Sequence, residues 1–337
     1  MVRKILIISI ILLSLTLGVL WFSISRPLIS PPVRVTPRHD EARANAENLR
    51  ADTHKLSTTF FPRDYRHPEN LDQAAEWIAE EFKKSGQKVW MQEFQVGGKR
   101  YSNVIAESKA PGNLPRDSVV IGAHYDACGE YPAADDNATG VAGLLELSRL
   151  LSRIPLTSDI TLVAYTLEEP PFFRTENMGS AVHAHSLVER GDRIRLMISL
   201  EMIGFFSDEV RSQTYPHPLL QLFYPSIGNF IAVVGPMTRS QATRDIKSAI
   251  LQATNLPAFS MNAPAWVPGI DFSDHLNYWN AGFDAVMVTD TSFFRNHAYH
   301  TPHDTYERLD YGRMSEVVTG VFSYLKNLGS SGDQAEK

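Results

Sequence analysis

The chain has 337 residues, a formal net charge of −6 and 43% hydrophobic residues, a composition that builds one large α/β domain or two ordinary ones without covalent staples. The acidic balance, with no basic stripe, argues against a nucleic-acid role, because phosphate binding needs concentrated positive surface. A single cysteine, Cys128, excludes an internal disulfide framework and a Cys-based zinc site, so a metal has to sit on His, Asp and Glu.

In chain order, residues 5–24 carry no charge and follow the basic pair Arg3 and Lys4. At ~1.5 Å per residue such a stretch predicts one N-terminal transmembrane helix across a ~30 Å hydrocarbon layer. The cations of residues 1–4 then stay cytoplasmic, and the bulk of the chain lies extracytoplasmically, periplasmic or extracellular. The alternative is a cleaved signal peptide, against which the sequence around Leu20, Trp21, Phe22 and Ser23 gives a poor small-residue cleavage pattern. Residues 25–38, rich in proline, predict an extended spacer. The domain proper is expected over 39–329, with a disordered tail over 330–337.

Within that domain, apolar residues at helical spacing predict a helix over 70–86, closed by Gly86. Strands are expected over 88–94, 101–107 and 119–123, then over 160–166, 194–200, 230–234 and 285–289. Helices are expected between them, near 178–189, 240–254 and 312–328. The alternation implies a mixed, mostly parallel sheet covered on both faces.

The stretch 119–151 organises the rest: a β-branched run delivers His124 and Asp126 at its end, an irregular loop presents Asp135 and Asp136, and a helix carries the chain away. Carboxyl ends of strands are where open α/β sheets place their chemistry. Five places join strand ends or loops to metal-capable side chains: His124, Asp135, the pair Glu168 and Glu169, Glu201, and His300. Taken singly, each has an ordinary reading. An Asp in a turn caps a helix, a Glu pair faces solvent, and a lone His packs and hydrogen-bonds. Together they form the ligand set of a zinc hydrolytic site without thiolates.

The ordered segments AHYD, ADDNATG, EE, LEMIG and HTPHDT resemble the co-catalytic zinc aminopeptidase family, peptidases of the M28 type. That family includes bacterial leucyl aminopeptidases, glutamate carboxypeptidase II and glutaminyl cyclases. The resemblance spans 71–328. It implies an α/β/α three-layer sandwich of the zinc exopeptidase kind and two zinc ions per chain. It also implies that Asp135 bridges the metals, with His124 and Glu201 completing one and Glu169 and His300 the other. Glu168 would be the general base toward a metal-bridging water, and Asp126 would fix the His124 tautomer. A cis peptide is implied between Asp135 and Asp136. The sequon at Asn137 reads as too enclosed for modification.

Two departures stand out: Glu201 occupies a place where the family carries aspartate, and residues 170–177, PPFFRTEN, replace a short turn. Phe172, Phe173 and Arg174 are candidates for a substrate pocket, with Arg174 reading a carboxylate, packing being the alternative for the Phe pair. Asp274 and His275, in the triplet SDH, resemble an element that flanks that pocket. His183 and His185 read as surface or packing residues, and Asp304 as a support of the His300 loop. The leading expectation is therefore a membrane-anchored zinc exopeptidase acting on peptides, an aminopeptidase first. A glutaminyl cyclase, a carboxypeptidase or amidohydrolase read by Arg174 or Arg295, and a catalytically silent binding ectodomain are the alternatives.

Overall fold

A computed structural model describes residues 2–25, 42–112 and 117–328. Eight strands, β1 (Lys88–Val96), β2 (Lys99–Ser108), β3 (Ser118–His124), β4 (Ile160–Tyr165), β5 (Ile194–Glu201), β6 (Ile231–Pro236), β7 (Ala258–Ala263) and β8 (Ala285–Thr289), form one sheet. Their order is β1-β2-β4-β3-β5-β8-β6-β7. The neighbours β4, β3, β5 and β8 run parallel, so their carboxyl ends share one rim. β2 pairs antiparallel with β4 on one side, and β6 antiparallel with β8 on the other. The expected mixed sheet is thus present, with β7 added: its polar Ser260 and Asn262 hid it from a search for apolar runs.

Seven helices belong to the sheet: α2 (Ala46–His54), α3 (Pro68–Lys84), α4 (Gly140–Leu151), α5 (Gly179–Arg190), α6 (Ser240–Ala253), α7 (His275–Asn280) and α8 (Tyr311–Lys326). Alternation along β3 explains the layers, because successive side chains leave opposite faces of a strand. Val119, Ile121 and Ala123 join the large core beneath α3, α4, α6 and α8, whereas Val120 joins a second core with Ala184 and Leu187 of α5 and Tyr278 of α7. Helices therefore cover both faces, as the three-layer expectation requires. A Cβ on Gly140 would lie 2.5 Å from the Leu200 carbonyl oxygen, so only glycine lets α4 start this close to β5.

The N-terminal expectation needs correction. Among the described residues no helix is long and apolar enough to cross a membrane. A helix does form, α1 (Val2–Ser25), and within it Thr16 turns its hydroxyl onto the Leu12 carbonyl at 2.8 Å. The bilayer contact expected through that helix loses its support with it. The proline-rich spacer beyond Ser25 and the tail over 330–337 lie outside the described residues.

Candidate metal centre

The common rim of β3, β4 and β5 assembles the site. His124 is the last residue of β3, Glu201 the last of β5, and Glu168 and Glu169 follow β4 by a short turn through Leu167. His300 arrives on the loop before α8. All four of His124, Glu168, Glu169 and Glu201 are buried.

The residue between the two imidazoles is Asp136, not Asp135. One Asp136 carboxylate oxygen lies 3.4 Å from His124 Nε2 and the other 3.0 Å from His300 Nε2, as a carboxylate shared by two cations would be held. Glu201 Oε2 stands 3.4 Å from His124 Nε2, and Glu169 Oε2 stands 3.2 Å from His300 Nε2. Glu168 Oε2 lies 3.9 Å from His124 Nε2, and Glu168 also groups with Glu169 within 4.8 Å.

Asp135 is corrected from expected ligand to scaffold. Its carboxylate turns inward, accepting the Gly204 N–H at 3.1 Å and the Asn296 side-chain amide at 2.8 Å. The backbone decides which aspartate faces the metals: Asp304 accepts the N–H of both Asp135 and Asp136 at 3.1 Å, pinning the segment Ala134–Thr139. The cis peptide moves with the assignment and lies between Asp136 and Asn137. Asn137 is fully buried, accepting from Gly140 and Met202 and donating to the Leu200 carbonyl, which closes the sequon to modification.

Behind the donors sits a tier of carboxylates and hydroxyls. Asp126 accepts the N–H of Glu168 and Glu169, each at 3.1 Å, and lies 3.5 Å from His124 Nδ1, so it orients both the imidazole and the glutamate pair. Ser273 donates to Glu201 Oε2 at 2.8 Å. Backbone conformation is forced here as well: Leu167, Met202, Ala133 and His300 all have positive φ without being glycine, each a strain of about 1–3 kcal/mol that clusters at functional sites.

Sequence reasoning passed over Arg63. Its guanidinium is fully buried and donates only to carbonyls, of Tyr125 at 2.9 Å, Leu56 at 2.5 Å, Pro132 at 3.2 Å and Ala133 at 2.8 Å. Burial lowers its pKa to about 10, held up by Asp126, Asp304, Asp136 and Glu169. Arg63 thus clamps both ends of the loop between His124 and Asp135. Only its position in FPRDYR, without periodicity or motif, marked it in the sequence.

Burial pushes Glu169 up to about 8, with Asp136 adding to the rise, and raises Glu168 and Glu201 as well. Burial alone would discharge His124, yet Glu201 and Glu168 hold it protonated. Burial likewise opposes the charge on His300, while Asp136 and its neighbours keep it well above the usual range. Buried His124 Nε2, His300 Nε2, Asp136 Oδ2 and Glu169 Oε1 lack hydrogen-bond partners within the protein. Oxygen and imidazole donors that converge without pairing fit a zinc-type divalent cation. Groups of donors that meet around one point include His124, Asp136 and Glu201, and His124, Glu168 and Glu169.

A cavity of about 280 Å³ opens from this cluster and is walled mainly by apolar and aromatic groups, among them Phe173, Tyr215, Phe272, Phe293 and Tyr299. Of the expected pocket residues, Phe173 lines it. Phe172 instead packs edge-on against Tyr65 at 5.3 Å, on the main core. Arg174 is paired with Asp271 at 2.5 Å and lies over the Phe173 and Phe272 rings. Asp274 and His275 are fully buried behind Glu201; His275 Nε2 donates to the Ile270 carbonyl at 2.8 Å, and its ring meets Trp279 edge-on. Phe172 therefore packs, Arg174 is held by its ion pair, and Asp274 and His275 sit at the start of α7 and outside the cavity wall. His183 is buried against Tyr278, and His185 is exposed.

Known proteins are similar to this chain over most of its length. "Uncharacterized protein YfbL" of Escherichia coli (strain K12) is 47% identical over 301 residues, covering 87% of this chain and 90% of that one. A "Probable leucine aminopeptidase" of Arthroderma otae is 24% identical, over 85% of this chain and 73% of its own length. In structure, "BSAP, a zinc aminopeptidase from Bacillus subtilis" superposes with a TM-score of 0.69 at 15% identity, over 84% of this chain and 95% of that chain, which shows a shared fold. The model of peptidase family M28 matches residues 103–325, from β2 to the end of α8 and through every element that carries a donor, and the chain belongs to that family.

Proposed function

We propose that this M28 hydrolase is a zinc aminopeptidase that removes N-terminal residues from peptides, with two metal positions. His124, Asp136 and Glu201 would hold one cation, and Asp136, Glu169 and His300 the other. The bound cations supply Lewis acidity toward the scissile carbonyl and toward water. Glu168, at the cavity wall and between the two halves, takes the proton of the attacking water and returns it to the leaving amine. Asp126 keeps His124 in one tautomer by its placement beside Nδ1. The aromatic wall takes the N-terminal side chain and excludes water from it.

The observation that carries the reading is the make-up of the chamber wall. Asp136, Glu168, Glu169 and Glu201 line it, and no Lys or Arg is among the described residues of its wall. Such a wall offers no cationic side chain to a terminal carboxylate, while a carboxylate that the metals leave free accepts a peptide ammonium. The two arginines that a carboxypeptidase would recruit are engaged: Arg174 with Asp271, and Arg295 with Gln213 at 2.8 Å and the Phe230 carbonyl at 2.9 Å. The test is hydrolysis of Leu-, Phe- and Tyr-initiated peptides by the zinc-loaded chain, set beside their N-acetylated forms. Free-amine peptides are expected to lose their first residue, acetylated ones to resist, and Glu168→Gln to lower kcat by about 10²–10⁴ with zinc retained. Equal cleavage of acetylated peptides would overturn the reading, and pyroglutamate formed from Gln-initiated peptides would reassign it to a cyclase.

A further inference from the structure

Cys128 lies in the loop between His124 and Asp136, on the side of the centre that carries His300. Its thiol, a Glu169 carboxylate oxygen and a His300 ring nitrogen lie within 4.8 Å of one another. Two of the groups around this point are left unsatisfied by the protein: Glu169 Oε1, on a side chain that is 4% exposed, and His300 Nε2. The cysteine itself is half-buried and free.

We propose that Cys128 is a fourth protein ligand of the His300-side metal, completing Asp136, Glu169 and His300. This rests on the two-metal reading above. Thiolate joins imidazole and carboxylate in zinc coordination, and zinc that expands to five-coordinate keeps a place for water beside four protein donors. Zinc bonds of ~2.0–2.3 Å require donors roughly 3.3–3.8 Å apart. The His300 pairs with Asp136 at 3.0 Å and with Glu169 at 3.2 Å are already close to that spacing, and the thiol lies within 4.8 Å of the Glu169 and His300 donors. The loop that must move is short and held at both ends: Arg63 binds the carbonyls of Tyr125, Pro132 and Ala133, and Ala127 N–H donates to the Arg63 carbonyl at 3.0 Å. Binding replaces the S–H proton, released to solvent, by a sulfur–metal bond, with no change of oxidation state. The lone cysteine that rules out an all-thiolate site thus enters a mixed one.

The full chain is stripped with chelator, titrated with cobalt(II), and followed by bound cobalt per chain and near-ultraviolet absorption, where a cobalt–thiolate bond has a charge-transfer band. Two cobalt ions are expected, with the band appearing in the wild type and missing from Cys128→Ser. In the same pair, the chelator needed to remove the more weakly held zinc should fall roughly tenfold or more in the variant. As a check that needs no variant, a thiol reagent should modify zinc-loaded wild type more slowly than stripped protein. Two bound cobalt ions with identical spectra in both proteins would overturn the cysteine ligand and leave the two-metal reading intact. One cobalt with the band would uphold the ligand and overturn the two-metal count, and one without it would overturn both.

Discussion

Two adjacent aspartates in the same loop have opposite fates. Asp136 faces both imidazoles, and Asp135 is tied to Gly204 and Asn296 beneath them. Removing charge from each should separate their jobs. Asp136→Asn withdraws a carboxylate held between the two imidazoles, so zinc content should fall from two toward none, measured by metal analysis after dialysis. Asp135→Asn keeps an acceptor for Gly204, so zinc content should stay near wild type while the denaturation midpoint drops by roughly 1–3 kcal/mol of stability. Equal metal loss in both would remove the distinction. The ADDN motif was legible as a ligand loop, but residue type cannot tell which of two aspartates turns inward. That choice is made by Asp304, far along the chain, which accepts both backbone N–H groups. Arg63 was invisible for the same reason, since all its partners are backbone carbonyls that carry no sequence signal.

Strand ends were the most legible elements, because a β-branched run that stops at a charged or imidazole residue marks a rim. β3, β4 and β5 fulfil that expectation, and their parallel pairing brings the three ends together. α5 follows the helix expected near 178–189, whereas α7 was harder to foresee, because it is short and its polar residues face inward. Tyr165 and Tyr278 hydroxyls lie 2.7 Å apart, and Tyr278 meets His183 Nδ1 at 2.6 Å, all three side chains buried. Burial lowers the His183 pKa to about 3, and the same cause lowers His275 to about 4. Both rings fold neutral while the unfolded chain titrates near pH 6.5, so the unfolded state binds more protons. Their contribution is present above pH 6.5 and is lost as pH falls toward 4, by up to about 1.4 kcal/mol per pH unit for each histidine. As pH falls from 6.5 to 4.5, the urea midpoint of metal-free wild type should therefore drop relative to that of His183→Gln. Parallel curves would show that His183 is protonated in the fold.

Over the whole molecule, the rim gathers more buried negative charge than the protein neutralises. Asp126, Asp135, Asp136, Glu168, Glu169, Glu201, Asp274, Asp290 and Asp304 are all buried there, against the guanidinium groups of Arg63 and Arg295 and two imidazoles. Burial raises Asp274, Asp290 and Asp304 to about 7, and Glu169 to about 8, so without metal the fold retains protons at the rim. Such groups bind more protons folded than unfolded. In metal-free protein their stabilisation is complete at acid pH and disappears as pH rises through the range from about 4 to 8. Zinc inverts this dependence at the donors, since it competes with their protons and binds more tightly as they leave. At a free zinc concentration of about 100 times Kd the fold gains roughly 2.7 kcal/mol, or a rise of several degrees in Tm for a domain of this size. Thermal unfolding with zinc and with chelator should thus give two curves that diverge with pH. The chelated Tm should fall between pH 6 and 8 relative to the loaded one, so that the zinc-induced shift is larger at pH 8 than at pH 6. A shift independent of pH would mean that the cation displaces no protons, and a shift larger at pH 6 would place it away from these carboxylates altogether.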